Sequence, residues 1–159
     1  MAKVKKVAIM MGSRSDMEVM GNCTDTLKSF GIEADVKVLS AHRTPKQTIA
    51  FAGKARKRGY KIIIAAAGGA AHLAGVVSAH TTLPVIGVPI DTKLLAGIDS
   101  LFSTVQMPAG IPVACMAIGK AGAINAAIFA AEILALNNKS LKVILDKHKK
   151  KLADSVLKK

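Results

Sequence analysis

The sequence predicts a single doubly wound α/β domain spanning residues 1–159, built on a five-stranded parallel sheet with one extra helix at its C-terminal end. Three observations carry this. Five short runs rich in Val, Ile and Ala are each followed by a loop of small or polar residues and then by a helical pattern, the alternation that builds parallel sheets. Hydrophobic residues make up 51% of the chain and aromatics only 3%, so the core must be aliphatic, as in a sheet covered on both faces by Ala-rich helices. The 159 residues suit one domain with a core of its own.

The elements follow in order. Residues 4–11 read as a buried strand, 12–15 as a loop, and Asp16 opens a helix that runs to about Phe30 and is capped by Gly31. Residues 34–40 form the second strand. Pro45 then starts a helix, a favoured first-turn position, and Gly59 stops it after Arg58. The third strand covers 60–67, followed by a Gly68-Gly69-Ala70-Ala71 loop and a helix from about His72 to His80. The fourth strand covers 83–90, a partly helical segment 91–105, and the fifth strand 111–118. A small-residue helix from 120 to about 136 and a last helix over roughly 140–157 complete the chain. The last helix places Leu141, Leu145, His148, Leu152 and Val156 on one stripe, which needs something to cover. That stripe and the small-residue helix both invite packing between subunits, so a symmetric homo-oligomer is expected.

The net charge of +13 is concentrated at the ends. Residues 7–138 carry 12 Lys/Arg against 8 Asp/Glu, whereas the first six and last twenty-one carry 11 against 2. The reading is a solvated, lysine-rich helix, and no nucleic-acid partner is assigned to it. The scarcity of aromatics also argues against a platform for single-stranded nucleic acid. Cys23 and Cys115 lie in no CxxC or Cys/His cluster, so no zinc site is readable, and reduced thiols fit a cytoplasmic protein. The basic start and short apolar run of residues 1–13 end without a cleavage site, so no signal peptide is read. No stretch reads as a membrane span.

In such sheets ligands bind at the carboxyl ends of the strands, and all the loops with chemical potential follow strands. Gly12-Ser13-Arg14-Ser15-Asp16 offers N–H groups and two hydroxyls at a helix start, a cradle for phosphate, with Gly12 allowing a tight turn. Asp16 stands at or near the N-cap, and spacing alone leaves capping and ligand contact both open. Ser40-Ala41-His42-Arg43 sets an imidazole beside a guanidinium fork, fit for proton transfer and anion binding. A single histidine is more often structural; Arg43 weighs toward function. Ala67, Gly68 and the residues up to Ala71 are too small for acid–base work and, with Leu73, either admit a planar ligand or serve helix–sheet packing. His72 reads as a helix cap, His80 as a surface residue and His148 as structural. Neither a Walker loop nor GxGxxG is present, which weakens nucleoside triphosphate and dinucleotide readings.

The strings MGSRSD (11–16), SAHRTP (40–45), AAAGGAAHLAG (65–75), GVPI (87–90), GIDSLFSTVQMPAGIPV (97–113) and IGKAGAINAA (118–127) run in this order along nearly the whole chain. In them the sequence resembles the class I N5-carboxyaminoimidazole ribonucleotide mutases of purine biosynthesis, which implies a flavodoxin-like fold. The GGAAHL form is similar to class I and unlike the animal-type class II carboxylase. Ala74 departs from the proline common in the family at that place.

The resemblance implies that a ribonucleotide is converted to 4-carboxyaminoimidazole ribonucleotide with His42 as general acid and base. It implies substrate binding by Ser13, Ser15, Asp16, Ser40, Arg43, Ala67, Gly68 and Leu73, and no metal or organic cofactor. It further implies an octamer and a functional link to an ATP-dependent carboxyaminoimidazole ribonucleotide synthase. Two alternatives stay open at this point. The same pocket could carboxylate aminoimidazole ribonucleotide directly with CO2. A non-enzymatic module of the same shape, binding nucleotides or RNA through its lysines, would show steeply salt-dependent binding and no turnover.

Overall fold

The computed structural model describes residues 6–157. Strands β1 (Val7–Met11), β2 (Ala34–Val38), β3 (Ile62–Gly68), β4 (Val85–Ile90) and β5 (Ala114–Cys115) form one parallel sheet in the order β2-β1-β3-β4-β5. From β1 the chain steps outward to β2, crosses back over β1 to lay down β3, and proceeds the other way. This is the predicted doubly wound, flavodoxin-like arrangement, with its topological switch point between β1 and β3.

The pleat sends alternate side chains to opposite faces, and both faces are apolar. Val7, Ile9, Met11, Ile62, Ile64, Ile86 and Val88 face α1 (Met17–Ser29) and α5 (Gly119–Ala135). Ala8, Met10, Ile63, Ala65 and Val85 face α2 (Pro45–Ala55) and α3 (Leu73–Ala79). α4 (Ile98–Val105) lies against β4 and β5, and α6 (Lys139–Leu157) packs on α5. Cys23 of α1 is fully buried in the first of these cores, and burial pushes its thiol up to about 12. Cys115, on the edge strand, is half-buried, and its thiol is also raised by burial. Among the described residues no helix is long and apolar enough to cross a membrane.

Several boundaries differ from the sequence expectation. Of the expected first strand, Val4 and Lys5 lie outside the described residues. β2 ends at Val38 because the N–H of Ser40 turns to Thr44 Oγ1 (2.8 Å) instead of a strand. The fifth strand is reduced from eight expected residues to Ala114 and Cys115. It is an edge strand with β4 as its one neighbour, and Pro112 has no N–H to add to a ladder. Residues 93–97 form turns, and helix begins only at Ile98.

The two features read as invitations to a neighbouring subunit also resolve differently. The small-residue face of α5, with Ala123, Ala126, Ala127 and Ala130, is wholly buried inside the subunit against the sheet and α1. The α6 stripe divides. Leu141 and Leu145 pack with Phe30 and Ala131, and His148 sets its ring edge-on to Phe30 at 5.3 Å. Leu152 and Val156 remain 53% and 72% exposed. An apolar face not foreseen lies on α4, where Ile98, Phe102 and Val105 are exposed beside Leu94 and Leu95.

Two glycines show what backbone geometry requires. Gly31, with φ +71°, ends α1 in the left-handed conformation expected of a helix stop. Gly122, in the first turn of α5, lies so close to the β5–α5 connection that a Cβ there would overlap the Ala117 carbonyl. Gly122→Ala is therefore expected to destabilise the fold by about 1–3 kcal/mol, the range for overpacking a filled site. Gly21→Ala, in the middle of α1 with nothing within 4 Å of the added methyl, should stabilise by about 0.5–1 kcal/mol. Urea denaturation of the two variants checks both signs.

Candidate active site

Three loops, after β1, β2 and β3, meet at the switch point and enclose a cavity of about 330 Å3, the lower end of the range for small-molecule sites. The first loop contributes Gly12, Ser13 and Asp16 to its wall, the second Ser40, Ala41, His42 and Arg43, and the third Ala67, Gly68, Ala70, His72 and Leu73. Of the residues singled out from sequence, Ser15 alone is absent from the lining. Its hydroxyl donates to Ser13 Oγ at 2.9 Å.

The first loop is locked by its own side chains. Ser13 caps a single 3-10 turn, Arg14–Asp16, and accepts the Ser15 N–H, while Asp16 Oδ2 accepts the Ser13 N–H at 3.1 Å. This reciprocal capping box settles the structural half of the Asp16 question: its carboxylate braces the loop and makes no side-chain cap on α1. The chain bends at Gly12 and Ser13 as expected, and Gly12 does so without a left-handed conformation. A Cβ at Gly12 would stand 3.8 Å from Ala67 and 4.0 Å from Asp16 Oδ2, all cavity-lining positions. Glycine there keeps the cavity open.

The second loop is tied down as firmly. Ser40 Oγ accepts the N–H groups of His42 and Arg43 at 3.3 and 3.1 Å. The hydroxyls of Thr44 and Thr48 both donate to the Ser40 carbonyl. Arg43 Nη2 reaches across to donate to the Gly12 carbonyl at 2.7 Å, joining the second loop to the first. Arg43 is exposed, and its guanidinium keeps further donors for an anion.

The third loop brings a pairing that sequence reading missed. His72 makes no side-chain capping bond at the start of α3. Its Nδ1 lies 2.9 Å from His42 Nε2, with the rings nearly perpendicular. His72 thus holds the expected N-cap position of α3, and its ring is a partner of the candidate catalytic histidine. No local pattern announces a contact between residues thirty apart; only both lying after strands that flank β1, on one edge of the sheet, hinted at it. His80 is a surface residue, as expected, with Nδ1 against the Val76 carbonyl. A separate depression among Lys147, Lys150, Lys151, Asp154 and Ser155 is lined by α6 alone and is a solvated helix groove. Among the described residues no three His, Cys, Asp or Glu are grouped to hold a metal ion.

The site therefore combines a pair of imidazoles in contact, an exposed guanidinium, a helix start with hydroxyls, and a small apolar wall. It suits a phosphorylated molecule with a compact planar head. Comparison with known proteins agrees with that outline. The AIR carboxylase family profile matches residues 6–155. An N5-carboxyaminoimidazole ribonucleotide mutase of Brucella melitensis is 55% identical over 150 residues, covering 94% of this chain and 93% of the relative. A bifunctional purine synthesis protein purC/E of Dictyostelium discoideum is 52% identical over 94% of this chain, the match spanning 15% of that longer protein. The crystal structure of Treponema denticola PurE superposes with a TM-score of 0.87 at 29% identity, covering 96% of this chain and 94% of that one.

Asp16 supplies a measurable electrostatic signature. Burial raises its carboxyl above the ordinary value, and the hydrogen bonds from Ser13, Ser15 and Gly12 and the nearby Arg43 charge only partly oppose this. A carboxyl with a raised folded-state pKa contributes most below its unfolded value near 3.8, and that contribution is lost as pH rises through the raised value. Measured by urea denaturation, the wild type is expected to gain stability on Asp16→Asn, which does not titrate, as pH falls from about 7 toward 4. A wild type that loses ground over that range would mean the carboxylate is favoured in the loop.

Proposed function

The chain belongs to the AIR carboxylase family, and from that premise we propose that it is an N5-carboxyaminoimidazole ribonucleotide mutase of purine biosynthesis. It converts N5-carboxyaminoimidazole ribonucleotide to 4-carboxyaminoimidazole ribonucleotide, moving a carboxylate from the exocyclic nitrogen to ring carbon 4. The observation that carries this reading is the single cavity in which His42, Arg43, Ser13 and Asp16 converge with the Ala67–Gly68 wall.

The chemistry assigns the roles. Loss of the carboxylate from nitrogen leaves that nitrogen needing one proton. Attack of carbon 4 on the released CO2 leaves a proton on that carbon, whose removal restores aromaticity. His42 delivers the first and takes the second, since an imidazole serves as both acid and base near neutrality. Ser13, Ser15 and Arg43 bind the phosphate, Ser40 supports that end by holding the His42–Arg43 turn, and Asp16 faces the ribose. Ala67, Gly68 and Leu73 wall the imidazole and hold CO2 in a small apolar space. An ATP-dependent carboxyaminoimidazole ribonucleotide synthase supplies the carbamate substrate. The working compartment is the cytoplasm, and no cofactor is required.

The working assembly is a homo-octamer. Its support is the exposed apolar side chains on α4 and on the outer half of α6, the kind of surface that a contact between copies covers. Light scattering at micromolar concentration is expected to give a closed oligomer, and removal of residues 139–159 is expected to reduce it. A monomeric wild type would overturn the assembly.

Paired substitutions test the site. His42→Asn should keep product affinity within a few fold and lose turnover by roughly a hundredfold or more. Arg43→Ala should weaken product binding by about 1.5–3 kcal/mol, the cost of a charge-assisted hydrogen bond. Substantial turnover in His42→Asn, or unchanged affinity in Arg43→Ala, refutes the corresponding role. At ambient CO2 the carbamate substrate should turn over and aminoimidazole ribonucleotide should not; the reverse would make the enzyme a direct carboxylase.

A further inference from the structure

His42 and His72 arrive at the cavity from loops thirty residues apart, and both backbones are held where they are. The His42 N–H is bound by Ser40, and its neighbour Arg43 is anchored to Gly12. His72 is flanked by Ala71 and Leu73, which are 1% and 2% exposed. The rings themselves are exposed and face each other through one nitrogen each, His42 Nε2 and His72 Nδ1, at 2.9 Å. One proton lies between them, so one ring donates and the other accepts.

The reaction cycle decides which. Whenever His42 has taken up a proton, both of its nitrogens carry hydrogen and both are donors. The contact survives that step only if His72 offers a bare Nδ1, that is, if His72 is neutral with its own proton on Nε2. The same arrangement in the resting state keeps a hydrogen on His42 Nε2 and leaves Nδ1 bare. We propose that His72 is a positioning residue that accepts the Nε2–H of His42, fixes its tautomer, and makes Nδ1 of His42 the nitrogen that exchanges protons with the substrate. The proposal rests on His42 being the acid–base residue.

In this arrangement the electron balance is simple. The resting ring first takes a proton from solvent on its bare Nδ1; Nδ1 of the resulting imidazolium gives that proton to the exocyclic nitrogen as the carboxylate departs, and its freed lone pair then takes the proton from carbon 4, which returns the imidazolium. The Nε2–H stays directed at His72 throughout. The second imidazole therefore steadies the imidazolium form without itself gaining or losing a proton, as an orienting acceptor does for a catalytic histidine elsewhere.

The test removes and then restores the acceptor. His72→Leu takes it away, whereas His72→Asn returns an amide oxygen near the position of Nδ1. His72→Leu is expected to lower kcat about ten- to a hundredfold, the usual cost of deleting the orienting partner of a functional histidine, with KM and product affinity little changed. His72→Asn should recover most of that loss. Two-bond 1H–15N spectra of the histidines should place the resting His42 proton on Nε2 in the wild type and on both nitrogens in His72→Leu. A wild-type kcat in His72→Leu, no recovery in His72→Asn, or a wild-type His42 proton on Nδ1 overturns the proposal. Failure of the parent reading is distinct: it would show as turnover in His42→Asn, while the tautomer spectrum needs no activity at all.

Discussion

Met11 stands in register with Val38 on one side and with Ala66 on the other. Because both pairings are parallel, the three strands run out at nearly the same level, and the loops after β1, β2 and β3 are released on one edge within reach of one another. The Leu39 N–H still bonds the Met11 carbonyl, and the Gly12 N–H still bonds the Ala66 carbonyl, so the ladder holds these loops together beyond the last strand residue. A slip of two residues in either pairing would move His42 or His72 by about 6.6 Å and break both the histidine contact and the Arg43–Gly12 bond. The site is thus a product of sheet register before it is a product of any loop.

Such a register needs strands that cannot turn over, and the composition supplies them. β1 is buried along its whole length, and a one-residue shift would exchange the two sets of side chains that fill separate cores on its faces. α5 approaches the sheet and α1 closely because its contact face is alanine and glycine, which keeps that layer thin while the face stays covered. The cost is intolerance of added volume where backbone meets helix, as at Gly122. At Gly68 an added Cβ would stand 3.4 Å from Thr92 Cγ2, so a larger residue there would press on the next loop.

What the sequence revealed and what it hid divide along local and non-local lines. Aliphatic runs, Pro45 and Gly31 carry their meaning within a few residues, so strands and helix ends were legible. The identity of the cavity wall was legible for the same reason: every loop after a parallel strand goes to one edge. β5 was overestimated because the length of an edge strand is set by its neighbour and by a missing N–H at Pro112. His72 was read as a cap and stands at the N-cap of α3, but nothing near it in sequence points to its ring contact with residue 42. Gly12 looked like a turn-maker, but its lack of a side chain matters for space shared with Ala67 and Asp16, which only the assembled loops define. Ser40 looked like a ligand for substrate alone, and much of its hydrogen-bonding capacity is directed to the backbone of its own turn.

The two cysteines place a clock and a sentinel in the molecule. With a thiol at about 12 and no exposed surface, Cys23 has fewer than roughly one thiolate in ten thousand at neutral pH and no path for a reagent to reach it. Alkylation there proceeds only through openings that lift α1 from the sheet, so its rate reports the free energy of that opening. Cys115 sits half-buried at the far edge, where fraying of a two-residue strand is enough to uncover it. A thiol-directed reagent therefore meets the molecule at β5 long before it meets the core. Thiol modification is steered to the side of the sheet away from the loops that follow β1, β2 and β3.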